Sequence, residues 1–431
     1  MEMAKRNALV AQSGGPSPVI NASLFGVAEA CLGSGQVEKV FAARHGIEGV
    51  LLEHLFDLGR QDSAELKRLM ITPSAAAGSC RYKLKDSYDK DYRRIIEVFR
   101  AHDVGSFFYI GGNDSMDTAD KVARLAREMD YDLKVVGVPK TIDNDLGDAE
   151  RTLIDHTPGY GSCARYWANL IRNVGEENRA MAPSECVSVL QAMGRDSGFI
   201  TAASRLGDPE RELPLLLFLP EAGHTAEAVC DLVNDGLKRW GRVIAVVSES
   251  LMTDADSHKV DGFGHVEYGA SRTTAMQTVV NLLNSRKLHA RGQATGQVPG
   301  VLQRGCSIEA SGVDRQEACR LGQEAVRLGL SGKSGIMATI LRASDKPYQV
   351  RYDSVPLHKM ANAARKLPPE WIAPGGTDVT DGFIRYAAPL IGDCAAPYES
   401  ENGLLRFARL DYAEEERKLP EYVPCGFGAG E

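Results

Sequence analysis

An α/β fold built on parallel sheets is the architecture this sequence predicts, on three observations. Short apolar runs alternate with segments of helical period along most of the chain. Each run ends in a turn carrying glycine or acid, the place where a parallel sheet meets its ligands. The length, 431 residues, exceeds what one hydrophobic core usually organises, so two or three domains are expected.

The first run, residues 8–11, leads through Gly14-Gly15-Pro16-Ser17-Pro18 to a helix ending near residue 30. Residues 106–110 lead to Gly111-Gly112-Asn113-Asp114-Ser115 and a helix from 117 to about 129. Residues 134–138 run straight into Pro139-Lys140-Thr141-Ile142-Asp143-Asn144-Asp145. Residues 186–190 precede Met193-Gly194-Arg195 and a helix through 204, and residues 242–247 precede Ser248-Glu249-Ser250. These turns should therefore converge on one cleft. Residues 254–269 are polar and rich in glycine and histidine, which predicts a loop. Leu367-Pro368-Pro369-Glu370 through Gly375-Gly376 interrupts structure before a C-terminal segment of little periodicity. No internal repeat and no low-complexity linker divides the chain.

Composition excludes several classes. Lys+Arg number 50 against Asp+Glu 58, a formal net charge of −8 without a basic run, which argues against nucleic acid and anionic membranes as partners. The nine cysteines form no CxxC pair and the nine histidines no HxH or HExxH spacing, so reduced thiols and no zinc site are expected. Residues 1–10 lack a signal-peptide apolar stretch, and the longest apolar run, about 213–219, is too short to span a bilayer. A cytoplasmic protein is the expectation.

The chemistry concentrates in residues 139–145 and 111–115. Two carboxylates, a hydroxyl and an ammonium within seven residues, beside a glycine turn with its own carboxylate, suit metal-assisted phosphoryl transfer. One carboxylate takes a hydroxyl proton, another holds Mg²⁺, and cations with backbone N–H groups spread the charge. Read singly, each motif has a plainer alternative: a capped loop at 139–145, a helix cap at Asp117 or at Ser248-Glu249-Ser250, a surface ion pair at Arg195. Gly329-Leu330-Ser331-Gly332-Lys333-Ser334 imitates a P-loop, but its glycine is misplaced and a helical pattern precedes it, so it reads as a helix stop. His45, His156 and His265 have no partner spacing and read as structural or exposed. A dinucleotide-dependent oxidoreductase fails for want of a GxGxxG turn.

Taken in order, these motifs resemble the phosphofructokinase family, and within it the branch that uses inorganic pyrophosphate in place of ATP. The resemblance runs from about residue 7 to about residue 340. It implies two Rossmann-like parallel-sheet domains with the active site in the cleft between them. Residues 1–160 with about 305–345 would bind the phosphoryl donor, and 161–304 with about 346–431 fructose 6-phosphate.

Residue by residue, the resemblance implies that Gly14, Gly15 and Gly112 cradle phosphate and that Arg81 reaches the donor. Asp143 corresponds to the general base, Thr141 to the hydroxyl beside the transferring group, and Asn113, Asp114 and Asp145 to the Mg²⁺ site. Met193, Gly194 and Arg195 match the sugar-phosphate motif, Glu249 the carboxylate for sugar hydroxyls, and Arg304 an arginine on the sugar phosphate. Asp114 stands where ATP-using relatives usually carry glycine, and so does Lys140. A carboxylate that excludes an extended polyphosphate and an ammonium that attracts a terminal phosphate together imply pyrophosphate as donor.

Three positions depart from the family pattern. Asn113 replaces a metal-binding aspartate, Cys186 an arginine, and Val301 a histidine, with Arg291 or Lys359 as candidates to supply the missing charge. The implied reaction is reversible, Mg²⁺-dependent transfer from pyrophosphate to the 1-hydroxyl of fructose 6-phosphate, in a homodimer or homotetramer. The alternatives are an ATP-dependent enzyme or a silent sugar-phosphate-binding subunit.

Overall fold

A computed structural model of the chain describes residues 5–85, 87–251, 273–360, 364–393 and 398–428. The loop expected at 254–269, with His265, lies outside the described residues, as does Cys394. Eleven strands make two sheets: β1 (Arg6–Gln12), β2 (Val37–Ala43), β3 (Leu55–Asp57), β4 (Val104–Gly111), β5 (Lys134–Pro139), β6 (Val187–Ala192), β7 (Leu215–Phe218), β8 (Val243–Ser248), β9 (Ala294–Gln297), β10 (Ile336–Asp345) and β11 (Tyr348–Pro356). The larger sheet has the order β11-β10-β5-β4-β1-β2-β3 and the smaller β7-β8-β6-β9. The chain thus makes five strands of one sheet, crosses to build the other, and returns.

Both sheets are buried on two faces, which is why their strands read as unbroken apolar runs. Alternation distributes the side chains. Leu9, Ala11, Phe107 and Tyr109 enter one core layer, under the helices Asp89–Ala101 and Asn113–Glu128. Ala8, Val10, Phe108 and Ile110 enter the other, under Ile20–Gly33 and Gly312–Leu330. In the smaller sheet Leu190, Leu217 and Val246 meet the long helix Tyr160–Met181, and Val189, Phe218 and Val247 meet Ala226–Trp240.

The expectation of parallel pairing is met inside both sheets and corrected at the edges of the larger one. There β3 runs antiparallel to β2, and β11 antiparallel to β10. A short connection such as 346–347 closes a hairpin, whereas a parallel pair needs a long crossover. After about residue 346 the chain packs against both sheets. The strand β11 extends the larger sheet, and Leu410, Leu419 and Tyr422 pack on that sheet's cores, while Leu367, Trp371 and Phe383 join the smaller. The P-loop imitation at 329–334 is the end of helix Gly312–Leu330, with Gly332 left-handed at φ 89°. Among the described residues no helix is long and apolar enough to cross a membrane, and the eight described cysteines are unpaired.

Candidate active site

Strands β1, β4 and β5 of one sheet and β6 and β8 of the other end at a shared cleft of about 740 Å³. The fifteen residues assigned to the site from the sequence line it: Gly14, Gly15, Arg81, Gly112, Asn113, Asp114, Lys140, Thr141, Asp143, Asp145, Met193, Gly194, Arg195, Glu249 and Arg304. The two suggested replacements for missing sugar-phosphate charge, Arg291 and Lys359, do not line it; Lys366, which the sequence reading did not single out, does. Cys186 is buried beneath β6, and Val301 stands exposed at the mouth.

The loop after β5 keeps a strand-like alternation. Thr141, Asp143 and Asp145 face the cleft, while Ile142, Asn144 and Leu146 are buried behind them. Sequence reasoning missed what fixes this loop. Asn144, left-handed at φ 55°, accepts from the guanidinium of Arg365 at its carbonyl (2.7 Å) and its side-chain oxygen (2.8 Å), and donates to the Tyr386 hydroxyl at 2.9 Å. Arg365 also donates to the carbonyls of Ile154 and Asp155, and its own N–H meets the Asp145 carbonyl at 2.6 Å. A buried guanidinium thus satisfies carbonyls that no helix or sheet could. Arginine at 365 had no local sequence signal, since its partners lie some 200 residues away.

Lys140 is 2% exposed, and its Nζ donates to the carbonyls of Ser13 (2.7 Å) and Gly15 (2.6 Å), tying β5 to the first glycine turn. Burial, followed by the positive charges of Arg304, Arg81 and Arg195, pushes its ammonium down to about 7 against the pull of Asp143. On the acid side, burial and the charge of Asp143 push Asp145 up to about 7, although its carboxylate is partly open to the cleft. Asn113 donates to Asp145 at 3.3 Å, and its buried Oδ1 has no partner. Asp114 forms an ion pair with Lys83 at 3.4 Å, a lysine the sequence reading did not select.

Helix Asn113–Glu128 begins four residues earlier than expected, so Asn113 and Asp114 sit in its first turn and Asp117 pairs with Lys121 at 2.8 Å inside it. Extended backbone at Gly112 serves as the cap, and acids suit a first turn whose N–H groups lack intrahelical partners. That places a helix N-terminus against the cleft, where an anion is favoured.

On the facing wall, Glu249 accepts from the N–H groups of Gly194 (3.1 Å) and Arg195 (3.0 Å) through one oxygen. Those N–H groups converge because Gly194 has φ 122° and Arg195 φ 52°, a turn that glycine makes accessible. Burial pushes Glu249 up to about 7, although the Arg195 N–H bond opposes the shift. Gln303, 1% exposed, accepts from the Met193 N–H and the Trp167 indole, bracing the same turn.

His156 is buried between Asp155 and Glu317 at 2.8 and 2.7 Å, a structural position, and His45 is exposed. Among the described residues no cluster of three His, Cys, Asp or Glu side chains could hold a metal ion by itself.

The architecture and the cleft have close counterparts. Residues 7–329 match the family model described as phosphofructokinase. The pyrophosphate–fructose 6-phosphate 1-phosphotransferase of Halomonas elongata is 40% identical, over 97% of this chain and all of that protein. The crystal structure of a pyrophosphate-dependent phosphofructokinase from Nitrosospira multiformis superposes with a TM-score of 0.87 at 36% identity, covering 97% of this chain and 100% of that one. One from Marinobacter aquaeolei gives 0.85 at 34%, covering 97% and 99%. A cleft between two parallel sheets, set with these motifs in this order, places the chain in the phosphofructokinase family, to which it belongs.

Proposed function

We propose that this chain transfers a phosphoryl group reversibly from inorganic pyrophosphate to the 1-hydroxyl of fructose 6-phosphate, giving fructose 1,6-bisphosphate and orthophosphate. The observation that carries the reading is the convergence of Arg81, Lys140, Arg195 and Arg304 with the carboxylates Asp143 and Asp145 in one cleft. Burial, and after it the charges of Arg304, Arg81 and Arg195, depress the Lys140 ammonium, and a polyanion bound among these groups would favour its charged form. The names of the relatives just described support the same substrates.

In this mechanism Asp143 accepts the 1-hydroxyl proton as the oxygen attacks phosphorus in line. The bond from that phosphorus to the bridging oxygen breaks, and orthophosphate departs. Arg81, Lys140 and the N–H groups beside Gly14, Gly15 and Gly112 hold the donor and spread its charge, and Thr141 orients the transferring group. The turn Met193–Gly194–Arg195, Glu249 and Arg304 hold the sugar phosphate. Asp114 with Lys83 fills the room an α-phosphate would need, so exclusion of a nucleotide rests on the bulk of the pair as well as on charge.

The residues present fit Mg²⁺. It keeps most of its ligands from water and substrate phosphate and needs one or two protein oxygens. Asp145 and the unpartnered Oδ1 of Asn113 would supply them; Asp114, paired with Lys83, is the weaker of the three expected ligands. Bound there, the ion would neutralise phosphate charge.

The unpaired cysteines support a reducing, cytoplasmic location. Exposed Val301, Leu302 and Ile308 beside the cleft support a homodimer or homotetramer. Formation of fructose 1,6-bisphosphate from fructose 6-phosphate, Mg²⁺ and pyrophosphate tests the reading, and absence of product with all three supplied would refute it.

A further inference from the structure

Residues 78–85, which bring Arg81 to the cleft and Lys83 to Asp114, contain no helix or strand. Their start is tied to the first glycine turn, where the Gly14 N–H donates to the Cys80 carbonyl at 3.3 Å and the Ser79 hydroxyl donates to the Gly14 carbonyl at 2.6 Å. Their side chains alternate: Cys80, Tyr82 and Leu84 are buried, while Arg81 and Lys83 point the other way. Beyond Cys80, the course of the segment past Arg81 and Lys83 depends on what grips Tyr82 and Leu84. The Tyr92 hydroxyl donates to the Leu84 carbonyl at 3.1 Å. Tyr82 is gripped by the C-terminal end of the chain.

Residues 414–427 cross the outside of the larger sheet unit as a strap. The Glu415 N–H donates to the Leu55 carbonyl at 2.7 Å. The N–H groups of Lys418 (2.9 Å) and Leu419 (3.2 Å) meet the buried carboxylate of Glu53, itself paired with Arg94 and His102. Arg94 also donates to the Pro420 carbonyl at 2.9 Å. Beyond this anchor the strap reaches Asp91, which is fully buried. One oxygen of Asp91 accepts from the Tyr422 hydroxyl (2.7 Å) and the Cys425 N–H (3.1 Å), and the other accepts from the Tyr82 hydroxyl. The Gly426 N–H then donates to that same Tyr82 hydroxyl at 2.8 Å, and the Phe427 ring stands edge-on to Tyr82 with centroids 5.9 Å apart. A Cβ at position 426 would come within 2.6 Å of the Tyr82 ring, so the closeness of the strap requires glycine there.

We propose that this C-terminal strap is a positioning device for the phosphoryl-donor end of the cleft, acting through Asp91 and Tyr82 to hold Arg81 and Lys83 at the donor. The proposal rests on the reading above that Arg81 contacts pyrophosphate. None of the strap residues lines the cleft. Their effect is therefore confined to one substrate: the sugar-phosphate turn at 193–195 is held by Glu249 and Gln303, which the strap does not touch.

The test compares Gly426→Ala, Tyr422→Phe and Arg81→Ala with the full-length enzyme, measuring KM for each substrate, kcat and thermal midpoint. Displacement of a positioned cation by a fraction of an ångström should raise the KM for pyrophosphate about 10-fold in Gly426→Ala and about 3-fold in Tyr422→Phe. The KM for fructose 6-phosphate should stay within about twofold, a split that general loosening of the fold would not give. Should Gly426→Ala fail to fold, Tyr422→Phe decides alone, since it removes one hydroxyl and adds no bulk. Equal rises in both KM values, or no change in either, would overturn the strap's role while a raised pyrophosphate KM in Arg81→Ala left the donor site standing. An unchanged pyrophosphate KM in Arg81→Ala would overturn both.

Discussion

On the larger-sheet wall of the cleft, charged side chains are confined by backbone: Lys140 is sunk between two carbonyls, Asp114 rides on the first turn of a helix, and Asp143 and Asp145 alternate along the loop after β5. On the smaller-sheet wall the relation is reversed, and backbone is confined by a charged side chain. There Glu249 gathers two N–H groups of a left-handed turn and so fixes where Arg195 begins. The difference teaches that similar ligands, two phosphate-bearing anions, can be met by presetting charge or by presetting chain. A change at the proton-accepting carboxylate of the first wall should cost turnover, and a change at the carboxylate that gathers the second wall's turn should cost binding.

Asp143→Asn is the sharpest test of the first wall. The carboxamide cannot take the hydroxyl proton, so kcat should fall about 10²–10⁴-fold while both KM values change little. Near-normal turnover would remove Asp143 from its role. Glu249→Ala tests the second wall. Loss of a charged acceptor bonded to two N–H groups should raise the KM for fructose 6-phosphate about 10–100-fold, with the pyrophosphate KM nearly unchanged, as steady-state kinetics would read. If kcat fell and KM did not, the contrast between the walls would be wrong.

The smallest effect concerns the buried network behind both walls. Burial pushes His156 down, but the carboxylates of Glu317 and Asp155 outweigh it and lift the imidazole to about 9. Arg342 on β10, bonded to Asp155, and Tyr348 on β11, whose hydroxyl donates to Glu317, complete its charged surroundings. Because the folded value lies above the ordinary 6.5, this stabilisation is complete below that value and is lost as pH rises through about 9. The thermal midpoint should therefore drop by a few degrees between about pH 7 and about pH 10. In His156→Gln the midpoint should be lower throughout and the slope flatter. An equal slope in the variant would assign the pH dependence elsewhere.

What was legible in the sequence was local. The runs at 106–110 and 134–138 are strands because two-sided burial makes them apolar after their first residues, Ser106 and Lys134, and their turns carry the cleft residues by the geometry of parallel sheets. The helix after Gly112 was placed late because Asn113 and Asp114 look like loop residues; a first helical turn accepts them as readily. Residues that hold the site in place were invisible. Arg365 clamps Asn144, Asp91 gathers the strap, and Lys83 meets Asp114, each across a separation that no periodicity reports. The antiparallel edge β10–β11 escaped notice because its exposed side alternates with polar residues and resembles loop.

On the proposed reading Asp114 and Lys140 select the donor, and the ratio of kcat/KM with pyrophosphate to kcat/KM with ATP reports that selection. That ratio is measured by product formation from fructose 6-phosphate and Mg²⁺ in the wild-type chain and in Asp114→Gly/Lys140→Gly. The account predicts strong preference for pyrophosphate in the wild type and a fall of about 100-fold or more in the double variant, with ATP turnover becoming measurable. A wild-type chain that prefers ATP, or a ratio the double substitution leaves unmoved, would contradict it.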